Sequence, residues 1–278
     1  MTRRGLDLAI VLAGAFTPAA AGEALTFHLM QIEQIIGGVE GDTTLQAVQL
    51  RMRSSFQNFV AGSSVWVRNA TGGSPVRLIL FPSGVSNGLA GQRILIASGT
   101  FSNHLDSPVS PDFALENLIP ATYLAGGTMT FENGGVVYWR VSWGNYTGST
   151  TGSTFNDADG DFGGPIPMAL PSAGLQALRF DGAANAPSTS NEDDYVLTAA
   201  ASTWTNNAGE GGTLIGGGAL PCPADIQPDG QVDVTDLLAL LSAWGPCDFS
   251  CGPADITGDG QVSVTDLLDL LAAWGPCP

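Results

Sequence analysis

The chain contains no lysine, and its nine basic residues are all arginine, against 26 Asp and Glu. Charged residues make up only 13% of it, where about 25% is usual for a soluble domain. A nucleic-acid binder is excluded, because neutralising phosphates needs a clustered basic surface and nine scattered arginines do not form one. Histidine is limited to His28 and His104, so imidazole ligands and bases are scarce. No apolar run reaches the ~20 residues that a membrane-spanning helix needs, so no membrane span is expected. What is plentiful is glycine, 37 residues, together with 17 prolines, which excludes a long coiled coil. Hydrophobic residues at 44% argue against disorder throughout. The length of 278 residues suffices for one large or two small cores.

The net charge of -17 is unevenly placed. Residues 222–278 hold nine Asp and no basic residue. The same stretch holds all four cysteines, Cys222, Cys247, Cys251 and Cys277. An even count confined to one small unit points to disulfides and an oxidising compartment. A zinc site needs closely spaced ligand pairs, and the C-x24-C-x3-C-x25-C spacing supplies none. The N-terminus agrees with export. Arg3 and Arg4 precede the apolar run Leu8–Phe16, and Ala19-Ala20-Ala21 follows, so residues 1–21 have the order of a secretory signal. A secreted, extracellular or cell-surface protein is expected.

Residues 22–204 read as a β domain. Val48-Gln49-Leu50-Arg51-Met52-Arg53 alternates strictly, which predicts a half-buried strand. Further strand-like runs are Phe27–Ile36, Val65–Arg68, Val76–Phe81, Arg93–Ala97, Leu175–Phe180 and Tyr195–Ala199. Asn133-Gly134-Gly135 separates Thr128–Glu132 from Val136–Trp143, a strong hairpin signal. The sum of these predicts a β-sandwich. Residues 205–221 are Gly-rich and read as a flexible linker.

Beyond the linker the chain repeats itself. Asp225–Cys247 and Asp255–Cys277 are offset by 30 residues and identical at 18 of 23 positions. Self-similarity of this kind implies two copies of one supersecondary unit. Each copy opens with twelve residues of calcium-loop spacing. Asp225, Gln227, Asp229, Asp233 and Asp236 occupy positions 1, 3, 5, 9 and 12 of the first loop, and Asp255, Thr257, Asp259, Ser263 and Asp266 those of the second. Gly230 and Gly260 stand at position 6, where the loop turns sharply, and Gln231 and Gln261 offer backbone carbonyls at position 7. Ca²⁺ is a hard ion that takes six to eight oxygens at about 2.4 Å, so two Ca²⁺ are expected. A helix follows each loop, with Leu237, Leu240, Leu241 and Trp244 forming one apolar stripe and Leu267, Leu270, Leu271 and Trp274 repeating it. Gly245-Pro246 and Gly275-Pro276 stop the helices. No helix precedes either loop, so these are half-EF-hands.

A duplicated calcium loop with an exiting helix and Asp at position 12 resembles a type I dockerin. The bracketing cysteines and the Trp-Gly-Pro-Cys endings resemble its Cys-flanked, GC-type variety. The resemblance covers residues 222–278 and implies two bound Ca²⁺ and docking onto a cohesin-like partner or a cell-surface assembly. It also implies that loop positions 10 and 11, here Val234-Thr235 and Val264-Thr265, help contact that partner. They are the same in both copies, so either face offers the same contacts. A Cys222–Cys247 bond within one copy is strained, because a helix separates the two ends. If the helices run antiparallel, Cys222–Cys277 and Cys247–Cys251 are favoured.

The large domain is less informative. Its run Phe27–Ala97 loosely resembles lamin-tail-like immunoglobulin sandwiches, in the order edge strand, alternating strand, Val-Trp-Val strand and Ala-Gly-Gln-Arg-Ile-Leu-Ile strand. The favoured expectation is a noncatalytic secreted sandwich displayed through the dockerin-like module. The alternative is a polysaccharide-active enzyme of glycoside hydrolase type, or a carbohydrate-binding protein. Hydrolysis would need two carboxylates ~5–10 Å apart, from Glu33, Glu132, Asp157, Asp159, Asp161 and Asp193. Asn156-Asp157-Ala158-Asp159-Gly160-Asp161 reads either as a further calcium turn or as a plain acidic turn, and Trp139, Trp143 and Tyr146 are possible sugar platforms, with core or hairpin packing the other reading for Trp139 and Trp143.

Overall fold

The computed structural model describes residues 27–107, 109–215, 223–227, 231–247 and 252–276. The expected signal segment, 1–21, lies outside the described residues. The fold is mainly β. In chain order its larger part contains β1 (Met30–Ile36), β2 (Ala47–Met52), β3 (Ser64–Asn69), β4 (Val76–Leu80), β5 (Arg93–Ala97), β6 (Phe113–Ala114), β7 (Gly126–Asn133), β8 (Val136–Gly144), β9 (Leu178–Phe180), α1 (Asn191–Asp194), β10 (Tyr195–Leu197), β11 (Thr203–Thr205) and β12 (Gly211–Thr213). One sheet has the order β10-β9-β1-β2-β5-β6 and another β4-β3-β7-β8. Their pairings are antiparallel except for β6, which runs parallel to β5.

Alternation decides which side chains meet between the sheets. Val48, Leu50 and Met52 of β2 join Val65 and Val67 of β3, Met129 and Phe131 of β7 and Trp139, Val141 and Trp143 of β8 in one apolar cluster. Strand β1 contributes Met30, Ile32 and Ile35, an odd spacing that strict alternation forbids. The ladder to β2 slips between Ile32 and Gln34, and this bulge restores the inward phase. The expectation that Phe27–Ile36 is an edge strand is corrected: β1 lies between β9 and β2, and all seven of its residues are buried. Its apolar residues are the reason, since an edge position would leave that side unpaired. The β7–β8 turn is as expected, with Gly134 and Gly135 at φ 57° and 82°, which only glycine adopts without penalty.

The linker expectation is also corrected over residues 205–215, while residues 216–221 lie outside the described residues. Residues 205–215 are folded: β11 pairs with β12, and Leu214 bridges Leu105. Trp204 is fully buried, edge-on to Phe101 at 5.3 Å, in a second cluster with Ile36, Leu95, Leu105 and Leu214. Asn206 closes the turn by accepting from the Glu210 amide at 3.0 Å, and Asn207 donates to the carbonyls of Asn87 and Arg93, both at 3.0 Å. The glycines here serve close packing: a Cβ on Gly212 would collide with the Ser107 carbonyl. Glycine content alone does not distinguish that role from flexibility.

The two sheets are locked by one buried phenol. Tyr195 of β10 donates to the Ile32 carbonyl of β1 and accepts from the Trp139 indole of β8 at 2.8 Å. Burial holds the Tyr195 pKa well above the usual tyrosine range. Tyr195→Phe would strand an indole N–H and a carbonyl in the core, at a cost of about 1–3 kcal/mol. We expect a urea midpoint lowered accordingly, followed by tryptophan fluorescence; an unchanged midpoint would refute the role of this hydroxyl.

Candidate metal centre

The repeated segment forms two equivalent units. The first contains β13 (Gln231–Val232), α2 (Val234–Ser242) and β14 (Gly245–Pro246), and the second β15 (Gln261–Val262), α3 (Val264–Ala272) and β16 (Gly275–Pro276). The units clasp each other reciprocally, β13 pairing with β16 and β14 with β15. The end of each helix therefore lies beside the loop of the other unit. Ala224, Ile226, Val232 and Leu240 meet Ala254, Val262 and Leu270 in a shared small core.

The second loop is described throughout. The Asp255 carboxylate accepts from the amides of Gly258 at 2.8 Å, Asp259 at 3.2 Å and Gly260 at 3.0 Å, which curls the chain back over position 1. Gly260 sits at φ 85°, the left-handed conformation that the turn demands. Asp259 accepts from the Gln261 amide at 2.9 Å. Ser263 and Asp266 form a capping box at the start of α3, as their Ser-x-x-Asp spacing dictates. Asp266 is fully buried, and accepts from the Ser263 amide at 2.8 Å and from the Thr257 amide and hydroxyl at 3.0 and 2.9 Å. Burial pushes its pKa up, but these donors outweigh burial and hold it below the usual carboxylate range.

Carboxylate oxygens of Asp255, Asp259 and Asp266 lie within 4.8 Å of one another. Oxygens about 2.4 Å from one Ca²⁺ stand at most twice that distance apart, so this donor set fits a hard cation. The amide donors fix the carboxylates without exhausting their lone pairs, of which each group has about four.

The first loop repeats the arrangement where it is described. Asp236 is fully buried and accepts from the amides of Gln227 and Asp233, both at 2.8 Å. Asp233 caps α2 by accepting from the Thr235 amide at 2.7 Å and hydroxyl at 2.8 Å, which lowers its pKa. Asp225 and Gln231 are in place at positions 1 and 7, while Asp229 lies outside the described residues. Cys222, Cys251 and Cys277 also lie outside them, and with them both expected disulfides; Cys247, the one cysteine described, is not a free thiol.

Only the middle of each apolar stripe is covered. Leu240 and Leu270 are fully buried and Leu237 and Leu267 partly so, but Leu241, Leu271, Trp244 and Trp274 remain about half exposed. The core of two nine-residue helices is too narrow to cover more. Val234 at 55% and Leu238 at 61% exposure continue this open surface, matched by Val264 at 57% and Leu268 at 59%. Thr235 and Thr265 are exposed beside them. Leu238 and Leu268 were legible as the i+4 partners of Val234 and Val264, but lie outside the stripe that the helix pattern emphasises.

The large domain's candidate acids lie on β1 (Glu33), on β7 (Glu132), in the 156–161 turn (Asp157, Asp159 and Asp161) and in α1 (Asp193). Glu33 is buried and bound bidentately by Arg93 at 2.7 and 2.9 Å, and Glu132 is buried against Arg68 at 2.7 Å. Asp157 is buried and accepts from Ser188 at 3.0 Å and from the Thr189 amide and hydroxyl at 2.8 and 2.9 Å. Asp159 and Asp161 bond locally to the amides of Asp161 and Gly163, and Asp193 lies in α1. The turn 156–161 thus staples loops together, and its acids do not form a metal-type cluster among the described residues. The possible platforms are buried: strand alternation points Trp139 and Trp143 into the core, and Tyr146, beyond the end of β8, is held by accepting from Arg140 at 3.3 Å and donating to the Ser149 carbonyl at 3.0 Å. His28 packs against Phe155 with ring centroids 5.1 Å apart and planes tilted by 45°, and burial lowers the pKa of His104. No described helix is long and apolar enough to cross a membrane.

Comparison with known proteins finds no family model and no curated protein that matches the chain. Asp266→Ala would leave the Thr257 and Ser263 amides without acceptors. In excess chelator, where any metal contribution is removed, we expect a loss of about 1–3 kcal/mol in the repeat module. Far-UV circular dichroism across a urea series would read it, and a wild-type transition would count against the cap.

Proposed function

We propose that the chain is a secreted, noncatalytic protein whose immunoglobulin-like β-sandwich is anchored or docked through a C-terminal, dockerin-like module. The module binds two Ca²⁺, one per loop, and docks onto a cohesin-like protein or a cell-surface assembly. The observation that carries the metal reading is the meeting of three loop carboxylates within the span of one Ca²⁺ coordination sphere. What supports docking is the matched pair of open apolar helix faces, each running from Val234 or Val264 to Trp244 or Trp274. Exposed apolar patches of this kind on a small module mark contact surfaces. The two sheets and their common core support the sandwich reading.

The first loop offers four Asp ligands and the second three, and more ligand charge tightens Ca²⁺ binding. Calorimetry should therefore resolve two ions, with a larger loss of affinity for Asp225→Ala than for Asp255→Ala. Equal losses, or no calcium heat, would sink the assignment. The Cys222–Cys277 and Cys247–Cys251 pairing is supported by the reciprocal clasp, in which the Cys247 amide donates to the Gly260 carbonyl at 3.1 Å. Non-reducing peptide mapping tests it, and a Cys222–Cys247 peptide would overturn it.

Docking is tested by calcium-dependent capture of a defined partner. Leu238→Asp or Leu268→Asp alone leaves one face intact, and binding is expected to survive. The double variant is expected to lose binding about 100-fold or more, since it buries a charge on both faces. Full binding by the double variant would refute the helix faces as the docking surface.

A further inference from the structure

A cleft of about 600 Å³ opens on the outer face of the six-stranded sheet, within the ~300–1,000 Å³ typical of small-ligand sites. Its walls include Glu33, Gln49, Arg93, Arg179, Asp181 and the segment 198–203. Strand register explains the assembly. Gln34 of β1 stands opposite Arg179 of β9 on one side and Gln49 of β2 on the other, and Arg51 of β2 stands opposite Arg93 of β5. Arginines of β9, β2 and β5, three of four adjacent strands, are thus brought to one face of the sheet.

On this sheet face three guanidinium groups, Arg51, Arg93 and Arg179, share two carboxylates, Glu33 and Asp181, in a protein of net charge -17; Arg93 and Arg179 line the cleft with both carboxylates, and Arg51 stands beside it. Glu33 is fully engaged: it accepts two bonds from Arg93 and one from Gln49 at 2.9 Å, and Arg51 approaches it only to 3.9 Å. The buried Nε of Arg51 has no hydrogen-bond partner, and neither amide atom of the fully buried Gln31, its cross-strand neighbour, has one. Arg179 meets Asp181 at 3.7 Å, beyond hydrogen-bond reach, with both side chains about half exposed or more. Such a surface pair contributes little, so exchanging Asp181 for another carboxylate is nearly free of penalty.

We propose that this cleft binds the carboxylate of an acidic carbohydrate, a uronate-containing glycan, with Arg179 as the principal clamp. A planar guanidinium with open donors takes a carboxylate in a two-bond fork. The small residues Ala199–Ala201 give the cleft an apolar side on which a sugar face can rest. The site is independent of the calcium loops and does not rest on the docking reading.

The test is titration of full-length protein, in chelator, with an oligogalacturonate and with a neutral cello-oligosaccharide of equal length. Chelation silences the calcium loops and keeps the acidic glycan from binding the ion itself. Selective binding of the oligogalacturonate, weakening as salt rises, is expected. Arg179→Gln should weaken it about tenfold or more, as loss of a charged hydrogen-bond pair does. Asp181→Asn should tighten it about two- to threefold by removing the competing carboxylate, a gain that a merely structural Asp181 would not produce. Both residues are exposed, so neither change threatens the fold. Equal affinity for the neutral oligomer, no binding of the acidic one, or an unaltered affinity in Arg179→Gln would each overturn the proposal.

Discussion

Asp157, Asp194, Asp236 and Asp266 are held by backbone amides and hydroxyl groups, not by arginine. This kind of bond organises the molecule, because acids outnumber cations almost three to one and lysine is absent. An unpaired buried carboxylate is costly, so each must find N–H or O–H donors nearby. The donors it finds bend the chain. Asp157 ties the 156–161 turn to residues 188–189, Asp194 ties α1 to Ser190, and Asp236 and Asp266 tie the start of each repeat loop to the helix that leaves it. Where several such carboxylates converge, as at Asp255, Asp259 and Asp266, the surplus of negative charge favours a divalent cation.

The few arginines are correspondingly concentrated in their duties. Arg93 and Arg68 each neutralise a buried glutamate on a sheet face, and Arg53 donates to the 184–186 and 156 segments that wrap β1. Arg179 stands apart, with a loose partner and an open cleft before it. Size explains the repeat module in the same way. Two short helices and two two-residue ladders bury one leucine per helix fully and one partly, and the other Leu and Trp stay open in matched sets. A duplicated unit that cannot bury its own apolar surface presents the same surface twice.

Much of the candidate metal centre was legible because its geometry is local. Oxygen ligands at alternate positions, glycine at the sharp turn and an acid three residues after the helix cap all fall within twelve residues, so their spacing implies their geometry. The β7–β8 hairpin was legible for the same reason, with two positive-φ glycines between alternating runs. The helix stripe was half right, since periodicity identifies which residues share a face but not how much of that face a neighbour covers. The edge placement of β1 and the linker reading of 205–215 failed for a nonlocal reason. Neighbours supplied from 145 residues away pair β1 with β9, and Trp204 finds its socket beside Phe101. A glycine-rich stretch looks the same whether it flexes or packs.

The sequence alone determined the mainly β class, the duplication, the loop positions and the residues that cap the helices, because each depends on contacts a few residues apart. Only the tertiary structure decided that the aromatic candidates Trp139, Trp143 and Tyr146 are core, that Glu33 and Glu132 are committed to arginines, and that Arg51, Arg93 and Arg179 share one face. Those outcomes depend on sheet order and on a single bulge in β1, and a one-residue slip there exchanges the buried and exposed faces of the strand.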